Sequence, residues 1–220
     1  MLDKTKTDKN MGLAVNEWLV EKKVQTPLSN IETYTDSFNI IKSSFKQIMH
    51  ALMLDMSDDS LKESPKRYAK MFLNELFWGL NVENFPRIMV IENKMQYDEM
   101  VLEKNIQVTS ACEHHFATIW GKAHIGYIPH KKVLGLSKLN RIVEYFSRRP
   151  QIQERLTEQI YYALQFILET DDIAVVIDAE HFCVKSRGVE DINSNTITSK
   201  LGGIFKSKTE VRQEFMGLIK

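Results

Sequence analysis

The sequence has few cysteines and no excess of charge of either sign. Only two of its 220 residues are cysteine, Cys112 and Cys183, and two cysteines cannot build a disulfide framework. Lys plus Arg and Asp plus Glu number 29 each, so the formal net charge at pH 7 is zero. A uniformly basic nucleic-acid-binding surface is therefore excluded, and no nucleic-acid partner is expected. Nine glycines and five prolines also exclude collagen-like and low-complexity classes.

Long apolar runs are missing as well. Runs such as residues 173–177 fall far short of the roughly 18 to 20 residues that span a bilayer, so neither a transmembrane helix nor a membrane partner is expected. The first ten residues are polar and lysine-rich, with no apolar segment behind them for a signal peptide. We therefore expect a cytoplasmic protein whose two thiols are reduced.

What is present is the patterning of an α+β protein. Apolar residues recur at helical spacing, change to short extended runs after residue 80, and return to helical spacing between strands. Ser64 and Pro65 predict the start of a third helix that Gly79 ends, and Ser137 predicts another N-cap. The predicted helices span residues 12–24, 36–54, 64–79, 137–148, 151–168 and 207–218, and the predicted strands 88–91, 101–109, 116–128, 133–136, 173–184 and 196–201.

These elements predict an antiparallel sheet with a helix pair on one face, preceded by N-terminal helices. The change of pattern divides the chain into an N-terminal helical region, residues 1–80, and a second domain, residues 81–220. No internal repeat interrupts this order.

Cysteine and histidine cluster in two short segments, and the clusters predict a metal site. Cys112 and His115 are two residues apart, a spacing that presents a thiolate and an imidazole to one ion. On a strand over 173–184, alternation would turn His181 and Cys183 to one face. Cys112, His115 and Cys183 suit Zn²⁺, with a fourth position open to water. His114 and His181 would then serve as proton donors or acceptors, although His181 could instead close a structural Cys2His2 site.

Basic residues near helix starts outline an anion site. Lys138 and Arg141 share a face in the first turn after Ser137, near the positive end of the helix dipole. Residues 131–160 carry seven basic and three acidic side chains, whereas 169–191 carry two basic and seven acidic ones. Zero net charge therefore conceals a polarised chain, although a solvated helix face is the alternative explanation for each lysine or arginine. The same i, i+3 pairing recurs at Arg67 and Lys70, and Arg187 follows Cys183 by four residues.

Long, ordered strings in the sequence resemble the GTP cyclohydrolase I family. They are SPKRYAKMFLNELFWGL, CEHH, GKAHIGYIP, LGLSKLNRIVEYFSRRPQIQERLTEQI, AEHFCVKSRGV, NSNTITSKLGGIF and RQEF, and they extend over about residues 36–216. The resemblance implies the tunnelling fold (T-fold), with 81–220 as the catalytic domain, and a toroidal homodecamer. It also implies a zinc enzyme that hydrolyses the imidazole ring of GTP at C8, releases formate and gives 7,8-dihydroneopterin triphosphate.

The resemblance also implies a role for each candidate residue in the metal site. Zinc would be held by Cys112, His115 and Cys183, and the acid–base histidines would be His114 and His181. An open catalytic site is thereby favoured over the closed alternative. Opening the ring needs both a nucleophile at C8 and a proton at N7, which a histidine can supply.

The implied substrate contacts lie in other segments. Glu154, beside Gln153, would bind guanine, because a carboxylate accepts hydrogen bonds from both N1–H and the 2-amino group. The site would then lie at an interface between subunits. The implied triphosphate contacts are Ser137, Lys138, Arg141 and Arg187, with Arg67 and Lys70 contributed by a neighbouring subunit.

Two other functions remain open alternatives. One is another T-fold enzyme, such as a nitrile reductase with a cysteine nucleophile and NADPH. The other is a non-catalytic, zinc-stabilised, ring-forming binding protein, which would not need His114 and His181. The sequence departs from the family at Ala117 and Thr118 and in the string LGGIFK, which bears on loop geometry. The pathway that uses the product is not determined by the sequence.

Overall fold

The computed structural model describes residues 2–29 and 36–220. Two aspartates begin its first long helices: Asp8 Oδ1 accepts from the Met11 N–H at 3.1 Å, and Asp36 Oδ1 from the Asn39 N–H at 3.3 Å. Such caps satisfy amide groups that have no partner within the helix. The first three helices are α1 (Lys9–Glu21), α2 (Ser37–Ala51) and α3 (Ser64–Met71), with a 3-10 turn at Lys4–Lys6.

The third helix does not run unbroken to Gly79, as the sequence predicted. It passes into a π-helical turn, Phe72–Leu76, and then into 3-10 turns at Trp78–Leu80 and Val82–Asn84. Gly79 lies against the end of a later helix, where a Cβ would come within 2.1 Å of the Tyr145 carbonyl oxygen. Its N–H donates to the Arg148 carbonyl at 3.0 Å. The glycine is therefore required for a close backbone approach.

The main sheet has five strands in the order β5-β2-β3-β6-β7. The four long strands are antiparallel, and only the two-residue β5 runs parallel to its neighbour, pairing Gln151 with Cys112. Ala111 pairs with Thr118, and Ile119 with His181, so the end of β2, the start of β3 and the end of β6 lie side by side. The strands are β2 (Val101–Cys112), β3 (Thr118–Tyr127), β5 (Pro150–Gln151), β6 (Ile173–His181) and β7 (Thr196–Leu201), with a separate pair β1 (Val90–Glu92) and β4 (Lys132–Leu134).

Two long helices cover one face of the sheet and two short ones contact the other. The side chains of Ile173, Val175 and Ile177 join the core beneath the helix pair, whereas Ala174 and Val176 pack with the C-terminal helices. This alternation along β6 is the two-residue period of a strand. The predicted α+β class, with a helix pair on one face, is confirmed. The helices are α4 (Leu136–Ser147), α5 (Gln153–Leu168), α6 (Phe182–Lys185), α7 (Gly203–Ser207) and α8 (Thr209–Leu218).

Other predicted boundaries were also wrong. The strand predicted over 173–184 ends at His181, and a short helix follows. The helix expected to begin after an N-cap at Ser137 is instead capped by Gly135, with no side-chain cap, so Ser137 lies within its first turn. Of the helices in residues 2–29 and 36–220, none combines the length and apolarity needed to cross a bilayer. The boundary at residue 80 stays a prediction.

Candidate metal centre and its surroundings

The metal cluster begins at the turn between β2 and β3. Cys112 is the last residue of β2 and is buried, at 5% exposure. Its N–H donates to the Ala117 carbonyl at 2.8 Å, and its own carbonyl accepts from the Phe116 N–H at 2.8 Å. These bonds close a tight turn, which presents His115 beside the Cys112 thiol.

The third member comes from α6. The potential ligand atoms of Cys112, His115 and Cys183 all lie within 4.8 Å of one another. The sequence argument that strand alternation would turn His181 and Cys183 to one face was wrong, because the strand ends at His181 and Cys183 lies in the helical turn. The pairing of β3 with β6 nevertheless brings this turn to the end of β2.

The donor set suits a metal ion. Burial and the neighbouring Cys112 thiol raise the pKa of Cys183, with Arg187 opposing the shift. A divalent cation bound at the Cys183 sulfur would reverse this shift, because it stabilises the thiolate. Two thiolates and one imidazole are ligands that Zn²⁺ prefers. Within the described ranges, the cluster that could hold a metal has three members and does not include His181, so the geometry is open.

A half-buried ion pair between Arg155 and Glu113 supports the turn. Both guanidinium nitrogens of Arg155 donate to the Glu113 carboxylate, at 2.6 and 3.0 Å, and this pairing lowers the pKa of Glu113. The Glu113 N–H also donates to the Gln151 carbonyl at 3.0 Å. Sequence reasoning missed Arg155, although a charged residue within each of the CEHH and QERL strings was a signal. The pair joins the cluster to the first turns of α5.

His181 is oriented by Gln153. Its Nε2 lies 2.7 Å from the Gln153 Oε1. The Gln153 amide nitrogen donates to the Ile177 and Thr196 carbonyls and to Thr198 Oγ1. Because the amide nitrogen is thus committed, the amide oxygen faces the histidine, and His181 must carry a proton on Nε2. Burial lowers the pKa of His181, and the Glu154 carboxylate opposes the shift.

His114 stands on the open side of the cluster. Its side chain is 64% exposed, and its Nδ1 lies 3.6 Å from the Cys112 sulfur. His114 therefore lies beside the cluster, next to the Cys112 sulfur. His181 is therefore half-buried and held by Gln153, whereas His114 faces solvent.

Three comparisons with known proteins bear on this centre. A family model described as GTP cyclohydrolase I matches residues 41–220. The chain is 54% identical over 206 residues to the GTP cyclohydrolase 1 of Shewanella sp. (strain ANA-3), covering 93% of this chain and 95% of the relative. It is 52% identical over 207 residues to that of Yersinia enterocolitica serotype O:8 / biotype 1B (strain NCTC 13174 / 8081), covering 94% of each. The chain belongs to the GTP cyclohydrolase I family.

Membership of this family confirms the resemblance and, with the architecture above, the expected T-fold. A solved dihydroneopterin aldolase from Burkholderia thailendensis bound to guanine aligns with 49% of this chain and 93% of its own, at 13% identity and a TM-score of 0.33. That likeness is too low to bear on ligands or activity.

The substrate contacts implied by the family resemblance fall into two groups within the chain. Glu154 is exposed in the first turn of α5, close enough to influence the pKa of His181, and Arg187 is close enough to influence that of Cys183. Lys138 and Arg141, with Ser137, lie instead at the start of α4. The start of α4 follows β4, whose Leu134 N–H donates to the Tyr127 hydroxyl at the far end of β3. The structure therefore does not bring the α4 group to the metal cluster of the same chain.

The pair on α3 also points away from its own metal cluster. Arg67 and Lys70 are exposed, and Phe72, two residues beyond Lys70, contacts Phe116 of the turn. At 3.6 residues per turn, Arg67 and Lys70 lie about 140° and 160° around the helix from Phe72. Both basic side chains thus lie on the opposite side of the helix from the turn.

Proposed function

We propose that this chain hydrolyses GTP at C8 of the guanine ring, releasing formate and forming 7,8-dihydroneopterin triphosphate. The observation that carries the proposal is the open cluster of Cys112, His115 and Cys183, with His114 and His181 beside it. Family membership supports the same substrate.

The metal in this proposal is Zn²⁺. Cys112, His115 and Cys183 would hold it, with two thiolates that cancel the charge of the ion and one position left open. When bound, zinc supplies a Lewis acid that makes a water nucleophilic near neutral pH. The bidentate Glu113–Arg155 pair keeps the first half of the turn in place and holds the Glu113 carboxylate away from the cluster.

The two histidines divide the proton transfers. His181, with Nε2–H directed to Gln153, offers Nδ1 to the substrate side and can exchange a proton there. His114, largely exposed, can exchange protons with solvent. Opening the ring adds water across the C8–N7 double bond and then breaks C8–N9, and a second water breaks the remaining N7–C8 bond to release formate. In the first addition, N7 must gain a proton while the attacking water loses one. Two histidines in different environments suit these opposite tasks.

Glu154 would select guanine. It is exposed at the N-terminal turn of α5, adjacent to the Gln153 that orients His181. A carboxylate at this position accepts from N1–H and the 2-amino group of guanine, a pair of donors that adenine lacks. Base recognition and proton transfer would therefore be set by adjacent residues of one helix.

A second copy of the chain would complete the triphosphate site. Lys138 lies near the opposite end of α4 from the metal cluster and Arg141 about one turn further in, about 14 and 9 Å along the axis from Ser147. Apolar side chains on the surface, Met89, Met95 and Ile197, are 64%, 81% and 63% exposed, which suits assembly. A homo-oligomer, in the family's case a decamer, would bring Ser137, Lys138 and Arg141 of one subunit to the cluster of another, with Arg67 and Lys70 from a neighbour.

The test is formate release from GTP, measured together with bound metal. Purified protein is expected to carry about one zinc per chain and to give fluorescent neopterin after oxidation and dephosphorylation. Cys183→Ser should lose zinc, whereas His114→Ala should retain zinc and lose turnover. A zinc-loaded protein that releases no formate would overturn the proposed reaction, and equal metal loss in both variants would overturn the ligand assignment.

Complementation tests the shared site. Cys183→Ser and Lys138→Ala should each be inactive, yet co-expressed subunits should recover part of the activity, since some sites then combine intact halves from two chains. The matched control is Lys208→Ala, an exposed lysine outside the proposed site, which should keep full activity. No recovery on co-expression would place both halves in one subunit and contradict the shared arrangement.

A further inference from the structure

Phe116, two residues before β3, has an unusual backbone conformation. Its φ is +52°, in the left-handed region that favours glycine or asparagine and is an outlier for a bulky side chain. It follows His115 directly, and its N–H closes the turn onto the Cys112 carbonyl. An aromatic residue in this conformation persists only where surrounding structure holds it.

Two aromatic rings hold Phe116 in place. Its ring centroid lies 5.9 Å from that of Phe72, nearly parallel at 25°, and 5.6 Å from that of Phe77, edge to face at 78°. Phe72 and Phe77 contact each other at 5.0 Å and 85°. All three distances lie in the range of favourable aromatic pairs. The three rings form one cluster, called here the aromatic clamp.

The π-helical turn is what brings Phe72 and Phe77 together. In an α-helix, residues five apart lie about 140° from each other around the axis. Here the Phe77 N–H donates to the Phe72 carbonyl at 2.9 Å, the i to i+5 bond of a π-turn. This bond places the two rings on one side of the element. Single π-turns within α-helices are rare and frequently occur at functional sites.

The two halves of the metal-binding turn are held differently. The first half is tied to the sheet and α5, by the β2 ladder at Cys112 and by the Arg155 pair at Glu113. In the second half, the Phe116 N–H and the Ala117 carbonyl bond back to Cys112, but the exposed His115 makes no hydrogen bond with its ring within the described residues. A metal-binding histidine is normally oriented by a partner on its other ring nitrogen. The orientation of His115 therefore depends on the backbone next to it.

We propose that the aromatic clamp positions the metal-binding turn, so that Phe72 and Phe77, through Phe116, fix the direction of His115 and of the neighbouring His114. The three phenylalanines are positioning residues, because none of them is a metal ligand or a proton donor. The proposal rests on the metal site of the proposed function. The proposal also gives a structural role to the π-turn, because this turn brings Phe72 and Phe77 together. The sequence pattern did not predict the turn.

The experiment follows release of zinc from the purified holoenzyme to a chromogenic chelator. Phe72→Leu and Phe77→Leu should each accelerate release by about tenfold or more, the size of effect seen when partners that orient a ligand are lost. Turnover of GTP should fall through kcat rather than KM, since His114 shares the turn. The matched control is Phe166→Leu, which removes a ring contact with Trp18, 6.1 Å between centroids, away from the metal cluster. It should release zinc at the wild-type rate.

Substitutions at Phe116 distinguish the contribution of its ring from that of its backbone conformation. Phe116→Gly suits the positive φ but removes the ring, and it should also accelerate zinc release, whereas Phe116→Tyr should restore the wild-type rate. Cobalt in place of zinc gives a second readout, as a weaker tetrahedral visible band in the clamp variants. If Phe116→Gly released zinc at the wild-type rate, the proposed role of the aromatic clamp would be overturned, but not the proposed function. A wild-type protein without bound metal would overturn the proposed function and the clamp with it.

Discussion

The two long N-terminal helices, α1 and α2, are attached to the rest of the molecule in opposite ways. From α1, Val15 and Leu19 are each 1% exposed and belong to the main core. Trp18 contacts Phe166 of α5, and the segment after α1 is held where the Val24 carbonyl accepts from a buried glutamine of α5. This helix is part of the folded core.

The helix α2 lies largely outside that core. Met49 is its buried residue, while Ile40 and Ile48 are 44% and 53% exposed. Its principal contact is with α3, where the Phe45 ring stacks on Tyr68 at 3.7 Å. Both helices have apolar residues at helical spacing. Amphipathicity alone therefore does not predict which of the two helices packs into the core of its own chain.

A buried arginine, Arg149, helps to attach α1 and the segment after it to the rest of the molecule. Arg149, 3% exposed, donates to the Gly79 carbonyl at 2.8 Å and to the Gln25 side chain at 3.1 Å. Burial lowers its pKa, while the rings of Tyr145 and Phe146 lie under the guanidinium at 4.6 and 4.8 Å. The segment after α1 is thus joined to α4 by polar contacts as well as apolar ones. No comparable link holds α2 in residues 36–220.

The largest expected difference is in the free energy of unfolding. Leu19→Ala should lower it by about 2–5 kcal/mol, because it leaves a cavity in the core. The matched change on α2, Ile48→Ala, should alter it by less than about 0.5 kcal/mol. Urea denaturation at one fixed protein concentration measures both, since assembly contributes to stability. Equal losses would mean that α2 is buried against a partner as firmly as α1 is within the chain.

A smaller effect is expected from a substitution that weakens the packing of α2 but not that of α1. Phe45→Ala removes the stack on Tyr68, an interaction worth about 0.5–1.5 kcal/mol beyond area burial. Hydrogen exchange of amides in α2 should become faster, while amides in α1 keep their protection. Phe45→Tyr is the conservative control and should retain both patterns. Faster exchange in α1 as well would show that the two helices open as one unit.

The smallest expected effect concerns pH. His124 in β3 is 6% exposed, and its Nδ1 lies 3.4 Å from the Asn105 N–H, which needs an unprotonated acceptor. Burial lowers its pKa, while Asp178 opposes the shift. The unfolded chain therefore binds this proton more tightly, so the stability contributed by neutral His124 is present above about pH 6.5 and is lost as pH falls below it.

His124→Gln should reduce this acid sensitivity by less than about 1 kcal/mol between pH 7 and 6. Chemical denaturation at several pH values measures the difference in slope. An unchanged slope in His124→Gln would contradict the role of its burial.

Much of the architecture could be predicted, because it depends on local patterns. Short extended runs predicted β6 and β7, and helical spacing predicted α4 and α5. The predictions were wrong where contacts between distant segments determine where a helix or strand begins. Gln151 joins the sheet beside Cys112 rather than α5, and Gly135 rather than Ser137 caps α4.

Some features of the candidate site could likewise be predicted from the sequence, and others could not. The identity and spacing of Cys112, His115 and Cys183 predicted a metal cluster, and the structure brings these three together. Spacing could not reveal that Arg155 pairs with Glu113 or that Gln153 holds His181, since these partners are 42 and 28 residues apart in sequence. Such pairings depend on the register of β2, β3 and β6.

The sequence by itself therefore determined the chemistry available to this protein: two thiols, adjacent histidines and basic pairs at helix starts, as well as the family to which it is similar. Only the tertiary structure decided which of these groups meet. It ended β6 at His181 and turned Cys183 into the cluster through α6, and it separated Lys138 from that cluster by the length of α4. The physical reason is that side-chain chemistry and local periodicity are properties of short segments, whereas proximity between segments results from strand pairing and core packing.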